Sequence, residues 1–195
     1  MNDNILKLER ATEDFPLMKA TLPKEILAEV EGWVKECRKI KDHPLAELKS
    51  HPNVGYNYQG SGVKHNTYQC SVPFRLVEES FWLIWVLKLV AKHYGKDYRY
   101  YSIRNHPFGL SYNDEYGIWT NFTYKGDDNP IHNHTGFLSG IMYIQNDGQP
   151  TIFPEYDTKT DAKIGSMYLW PSKEAHYVEE KKTKEERITI SFNIV

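Results

Sequence analysis

The most regular hydrophobic pattern of the chain lies at its end, where residues 187–195 alternate polar and apolar without a break. A period of two predicts a β-strand with two different faces. The apolar face consists of Ile188, Ile190, Phe192 and Ile194, and the polar face consists of Arg187, Thr189, Ser191 and Asn193. If the apolar face packs on helices, the polar face looks into a barrel interior, where Arg187 would need an anion.

Helical spacing is confined to the first half of the chain. Residues 23–40 carry apolar side chains three and four positions apart and a charged opposite face, which predicts an amphipathic helix. A second helix is expected from Phe74 or Leu76 to Tyr94, and its apolar residues on all sides predict that it packs under a sheet. A short helix at 44–49 and strands at 54–58, 67–70, 98–103 and 118–124 complete the pattern.

Composition and charge argue against some classes of binding partner but do not identify the function. The 195 residues include 24 basic and 26 acidic ones, so a net charge of −2 gives no sign of nucleic-acid or anionic-membrane binding. We therefore expect a small-molecule or peptide substrate, while the oligomeric state cannot be read from the sequence. Two cysteines without C-x-x-C spacing and an N-terminus without a basic-then-apolar pattern predict a reduced, cytoplasmic protein.

Three histidines are candidates for a metal site. His132 and His134 are separated by one residue, so in an extended strand both side chains project from the same face. Neutral imidazole is a good ligand for iron, zinc, copper and nickel. His176 would supply a third ligand, because the surrounding segment 169–178 is typical of a strand, a turn and a second strand. The alternative is that they are core or surface residues, since the chain has eight histidines.

From Trp119 to Val195 the chain resembles the double-stranded β-helix core of the Fe(II)- and 2-oxoglutarate-dependent dioxygenases. It is most similar to the small oxygenases of that superfamily in bacteria and phages, related to the prolyl-hydroxylase branch. The matching motifs are HNH at 132–134, SGIMYI at 139–144, the stretch 165–171, His176, and RITISFN at 187–193.

This resemblance implies a mainly β fold with N-terminal helices, in which a jelly-roll, cupin-like barrel is braced by the helices. Residues 1–195 would form a single domain. Residues 1–95 would be a helical support region with short strands, and residues 96–195 would be the double-stranded β-helix core. The implied cofactors are Fe(II) and 2-oxoglutarate, and the implied reaction is hydroxylation of an unknown substrate.

Site residues follow from the same resemblance. His132 and His176 would be iron ligands, and Arg187 would bind the distal carboxylate of 2-oxoglutarate, to which Tyr143 could donate its hydroxyl. Asn121 and Tyr124 are candidates for the other carboxylate, although they fall on opposite faces of one strand, so at most one points inward.

One position departs from the family pattern, because His134 stands where an aspartate or glutamate is usual. Either His134 is the third ligand, or it lies behind the ligands and water completes the coordination. The period-2 geometry favours the first, since it presents His134 to the same metal. An all-histidine site has one negative charge fewer, which makes the metal centre more electropositive.

Two other interpretations of the same residues remain open. Gly126 followed by the 132–134 motif, and Gly165 followed by Pro171 and His176, resemble the cupin motifs, and cupin-type thiol dioxygenases use three-histidine iron without 2-oxoglutarate. The cupin glutamate is missing after the histidine pair, and Arg187 has no required role in a cupin, so the 2-oxoglutarate interpretation is favoured. A non-catalytic binding module on the same fold is the third possibility.

Overall fold

The computed structural model describes residues 8–41, 54–55, 67–72, 76, 80–94, 118–134, 136–146 and 148–194. The expected short helix at 44–49 and the strand at 98–103 lie outside these residues. The strands are β1 (Glu9–Arg10), β2 (Met18–Thr21), β3 (Val54–Gly55), β4 (Tyr68–Ser71), β5 (Ile118–Thr123), β6 (Asn129–His132), β7 (Leu138–Gln145), β8 (Ile152–Phe153), β9 (Thr158–Lys159), β10 (Ser166–Pro171), β11 (His176–Val178) and β12 (Arg187–Ile194), and the helices are α1 (Lys24–Lys41) and α2 (Phe81–Tyr94).

The strands form two antiparallel sheets. The larger sheet has the order β1-β2-β10-β7-β12-β5-β4-β3, and the smaller has the order β6-β11-β8-β9. The large sheet contains strands from both halves of the chain, because β2 pairs with β10 and β4 pairs with β5. The chain is thus mostly β with bracing helices, as the sequence predicted.

β12 lies at the centre of the large sheet between β7 and β5, and its two faces differ as its alternation predicts. The four apolar residues of the strand are buried in the main core together with side chains of both helices. The Phe192 ring contacts Trp82 of α2 edge to face at 5.8 Å between centroids. On β7, a Cβ at Gly140 would overlap the Phe192 ring, so only glycine allows this strand to lie so close.

Helix α1 agrees with the expected helix at 23–40 to within one residue at each end. Its buried stripe, which includes Val30, Trp33 and Cys37, faces the main core. The sequence predicts one helix from Phe74 or Leu76 to Tyr94. Leu76 is helical, but Ser80 is not, so the helix that ends at Tyr94, α2, begins at Phe81. Apolar spacing does not mark where a helix starts, and serine is a residue type preferred at helix N-termini.

A bidentate ion pair fixes α1 to the start of β12. The two guanidinium nitrogens of Arg38 donate to the two carboxylate oxygens of Glu186 at 3.1 and 2.6 Å. Because Glu186 precedes Arg187, this pair also holds the end of the strand that carries the candidate anion-binding residue. Neither helix in the described part of the chain is both long and apolar enough to cross a lipid bilayer.

Candidate functional site

The three histidines come together where the smaller sheet approaches the larger one. His132 at the end of β6 lies opposite His176 at the start of β11 in the strand pairing. His134 follows two residues beyond β6, and its backbone N–H donates to the carbonyl of Ser172 at 2.8 Å. The ligand atoms of all three histidines lie within 4.8 Å of one another. Nitrogens bound to one ion through bonds of about 2.0–2.1 Å lie at most about 4.2 Å apart, so the three rings need only a small shift to bind the same ion.

Two of the histidines are held in a form suited to binding a metal. His132 Nδ1 lies 2.7 Å from the carbonyl oxygen of Pro130, and His176 Nδ1 lies 3.0 Å from that of Glu174. A neutral imidazole that donates from Nδ1 to a carbonyl leaves its Nε2 lone pair available to a metal. The backbone therefore orients both rings, and it does so from residues two positions earlier in the chain.

The histidines line a pocket between the two sheets. The polar face of β12 forms one wall of this pocket, and Trp119 and Trp170 also line it. His134 lies 5.6 Å from Trp119, and His176 lies 5.0 Å from Trp170, both measured between ring centroids.

Arg187 lies in this pocket with its charge unbalanced. The side chain is only 3% exposed, Nε donates to the carbonyl of Gln149 at 3.3 Å, and Nη2 has no hydrogen-bond partner. The guanidinium lies 5.4 Å above the ring of Tyr143. No described aspartate or glutamate pairs with it, and a buried unpaired guanidinium is the arrangement that an anionic ligand would complete.

Asn121 points into the same pocket, but its hydrogen bonds are already made. Its amide nitrogen donates to Thr189 at 3.1 Å and to Ser191 at 2.9 Å, and its amide oxygen accepts from Gln69 at 3.1 Å. Both N–H groups are thereby used within the protein. Asn121 thus holds β4, β5 and β12 in register, and it could bind a ligand only by giving up one of these bonds.

The two tyrosines that the sequence suggested as cosubstrate ligands have other partners. The Tyr143 hydroxyl lies 3.0 Å from the Thr151 hydroxyl and 2.6 Å from the Thr160 hydroxyl, so the structure brings its ring to Arg187 but not its hydroxyl. Tyr124 is not among the described residues that line the pocket. Burial, followed by a hydrogen bond with Glu186, raises the pKa of its hydroxyl.

Several residues of the pocket were not singled out from the sequence. Gln69, Thr151 and Ser139 also line it, and the Ser139 hydroxyl donates to the amide oxygen of Asn193 at 2.8 Å. Gln69 reaches Asn121 across 52 residues of sequence. A pairing of this length leaves no local signal, whereas Ser139 belongs to a segment already recognised by resemblance.

Solved structures similar to this chain include oxygenases from a bacterium and from a plant. A prolyl-4-hydroxylase from Pseudomonas putida has a TM-score of 0.55 and 13% identity, covering 93% of this chain and 94% of its own. The dioxygenase for auxin oxidation 1 from Arabidopsis thaliana, solved with 2-oxoglutarate, has a TM-score of 0.54 and 10% identity, covering 94% and 85%. At such low identity the likeness is one of fold.

This chain has the fold of the 2-oxoglutarate oxygenases. The double-stranded β-helix expected from the sequence is thereby confirmed. No protein-family model matches the chain, and neither does any curated protein. Because an oxygenase fold can carry different chemistries, the function has to be argued from the histidines and Arg187.

Proposed function

We propose that this protein is a non-haem Fe(II)- and 2-oxoglutarate-dependent dioxygenase of the hydroxylase type, acting on a small molecule or a peptide. One observation carries the proposal: the buried guanidinium of Arg187, with Nη2 unpartnered, lies in the same pocket as three convergent histidines. A metal site and a site for a carboxylate in one cavity are what a metal-chelating keto acid needs.

The residues fit the metal. His132, His134 and His176 would hold Fe(II) through one nitrogen each, and three protein ligands leave positions free for a cosubstrate and oxygen. The backbone bonds to His132 and His176 fix their rings before the metal arrives. His134 lies on a segment anchored by its backbone bond to Ser172, which supports its assignment as the third ligand.

The residues also fit the cosubstrate. Arg187 would bind the distal carboxylate of 2-oxoglutarate through Nη2, while its Nε stays bonded to Gln149. The hydroxyl of Thr189, two residues along the same face of β12, is orientated by Asn121. Tyr143 supports the guanidinium from below through its ring. In this assignment Asn121 and Tyr143 orient the residues around 2-oxoglutarate and do not bind it themselves.

With iron and 2-oxoglutarate bound, the cofactors supply the oxidising chemistry, in which the keto acid is decarboxylated to succinate and one oxygen atom reaches the substrate. The protein would orient the cosubstrate and shield the pocket from water. The tryptophans Trp119 and Trp170 wall the pocket beside the histidines and limit the access of water. The polar face of β12 aligns the cosubstrate along one wall.

The test is an anaerobic titration of 2-oxoglutarate into Fe(II)-loaded protein, followed by the visible charge-transfer band of a chelated keto acid. We expect the band in the wild type and its loss in His176→Ala. Lys159→Ala, a substitution at an exposed residue outside the pocket, is the control and should retain it. Iron binding without a band would contradict the proposal.

The all-histidine cluster favours one second candidate, a three-histidine dioxygenase of the cupin type that does not use 2-oxoglutarate. The two candidates differ at Arg187. A 2-oxoglutarate enzyme loses cosubstrate binding when the guanidinium is removed, whereas a cupin-type enzyme has no such binding to lose. Iron binding and oxygen consumption with a thiol substrate, both unaffected by Arg187→Ala, would support the second candidate.

A further inference from the structure

The pocket would contain more positive charge than its described residues and cosubstrate neutralise. Three neutral imidazoles leave both charges of a divalent ion uncompensated, and Arg187 adds a third. No aspartate or glutamate is among the described residues that line the pocket. The dianion 2-oxoglutarate would neutralise two of these charges, so one would remain. A carboxylate ligand in place of His134 would have removed it.

Trp170 provides a second observation that does not depend on a metal. Its indole N–H is buried and has no hydrogen-bond partner, although Trp170 lines the pocket and lies beside His176. A buried donor without an acceptor destabilises the folded protein, and a bound ligand that accepts from it would recover the lost hydrogen bond. Arg187 and Trp170 are thus two unsatisfied donors in one cavity.

The two donors lie too far apart to share one acceptor. Trp170 on β10 pairs with Ser139 on β7, which pairs with Asn193 on β12. Trp170 is therefore level with Asn193, six residues along β12 from Arg187, which corresponds to about 20 Å of strand. A cosubstrate carboxylate held by Arg187 therefore leaves the indole N–H of Trp170 without a hydrogen-bond acceptor.

Asn193 adds further donors at the Trp170 end of the pocket. Its amide oxygen accepts from the Ser139 hydroxyl at 2.8 Å, which orients the side chain and leaves its two amide N–H groups for a ligand. Indole and amide N–H groups close to a cationic centre are suited to an anion with several acceptor positions. A carboxylate has this chemistry.

We propose that the Trp170 end of the pocket binds a second, monovalent anion beside the histidines, and that this anion is a carboxylate of the substrate. The inference rests on the proposed function, because the excess charge exists only when a divalent metal is bound. It narrows the substrate to molecules or peptides that bear a carboxylate near the position to be oxidised. An inorganic anion such as chloride has related chemistry and is separated by the test below.

The test is a calorimetric titration of sodium acetate, and separately of sodium chloride, into Co(II)-loaded protein saturated with 2-oxoglutarate, at constant ionic strength set with sodium perchlorate. The visible absorption of Co(II) is followed in parallel. We expect acetate to bind the wild type and to bind His134→Asp at least ~10-fold more weakly, because the new carboxylate removes the excess charge. Trp170→Phe should also weaken acetate by ~10-fold, through the lost hydrogen bond to a charged group. Lys159→Ala, an exposed position outside the pocket, is the control and should bind acetate like the wild type.

Each contrary result has a separate meaning. If Co(II) and 2-oxoglutarate bind but acetate does not, the second anion site is wrong and the proposed function stands. The same conclusion follows if acetate binds the wild type, His134→Asp and Trp170→Phe with equal affinity. If chloride binds with the expected dependence on His134 and Trp170 while acetate does not, the site does not take a substrate carboxylate. If Co(II) binds and 2-oxoglutarate does not, the proposed function and this inference both fail.

Discussion

Replacement of Arg187 by methionine should separate the stability of the protein from its function. In the protein without cosubstrate, the unsatisfied Nη2 of Arg187 costs about 1–3 kcal/mol. The long hydrogen bond from Nε to Gln149 returns about 0.5–1.5 kcal/mol, and the contact with the Tyr143 ring returns about 0.5–2 kcal/mol. These contributions nearly cancel, so we expect Arg187→Met to change the free energy of unfolding by no more than about 1 kcal/mol.

The effect on the cosubstrate should be much larger. Two charge-assisted hydrogen bonds from the guanidinium to a carboxylate contribute about 1.5–3 kcal/mol each, or about 3–6 kcal/mol together. At about 1.4 kcal/mol per factor of ten, the dissociation constant for 2-oxoglutarate should rise by at least ~100-fold in Arg187→Met. Anaerobic calorimetry on Fe(II)-loaded protein measures this constant, and urea denaturation of the metal-free protein measures the stability.

Arg38→Met is the matched control. Arg38 forms a partly exposed bidentate pair with Glu186, next to Arg187 in the chain, so its loss should lower stability slightly while 2-oxoglutarate still binds. The reasoning would be refuted if Arg187→Met lowered the free energy of unfolding of the metal-free protein by more than about 3 kcal/mol and the protein that remained folded kept its affinity for 2-oxoglutarate. Arg187 would then be a structural residue.

Three further predictions follow from named contacts. His176→Ala should weaken metal binding by more than ~100-fold while the fold remains, as measured by metal titration and circular dichroism. Gly140→Ala should lower the free energy of unfolding, measured by urea denaturation, by at least about 1–3 kcal/mol, because the new Cβ would overlap the Phe192 ring. Gly148→Ala is the control for this overlap, since the space around its Cβ is open and only its positive φ adds strain. Burial by itself raises the pKa of Glu186, but the hydrogen bonds from Arg38 and Tyr124 and the charges of Arg38 and Lys41 together outweigh it and hold that pKa below its ordinary value. The stability from this pair is therefore present above the unfolded pKa of about 4.3 and is lost as the pH falls through the lowered folded pKa, so Glu186→Gln should flatten the acid side of the stability profile.

The last strand, β12, shows how much of this fold can be predicted from the local pattern of polar and apolar residues. Its strict alternation predicted a two-faced strand, and the structure buries Ile190 and Phe192 in the core while Thr189 lines the pocket. The prediction works because a side-chain period of two is a property of the extended backbone itself. The strand also needs a helix layer on one side and a cavity on the other, and both are present.

Prediction became less complete where the chain leaves regular structure. The strand that carries His132 ends at that residue, so His134 is not presented by a regular strand, although Asn133 between them is exposed as alternation requires. The bond from the His134 backbone to Ser172 helps hold it in place. No local pattern reveals such a bond between residues 38 positions apart.

The sequence could not reveal the hydroxyl groups that Tyr143 meets in the folded chain. The expectation that its hydroxyl donates to a carboxylate comes from family resemblance alone. In this chain Thr151 and Thr160 take up that hydroxyl, and one of them lies on the segment before β8 while the other follows β9. Which hydroxyls meet depends on strands paired in space, so the competition for Tyr143 is decided only after the sheets have formed.

The contrast between satisfied and unsatisfied polar groups separates scaffold from binding surface within the pocket. The amide of Asn121 makes three hydrogen bonds to protein groups, whereas Nη2 of Arg187 and the indole N–H of Trp170 make none. All three residues are buried. Buried polar groups in folded proteins are nearly always bonded, and the exceptions require an explanation. A cavity that satisfies the amide of Asn121 and leaves Nη2 of Arg187 and the indole N–H of Trp170 open, beside three convergent imidazoles, is organised around acceptors that the chain itself does not supply.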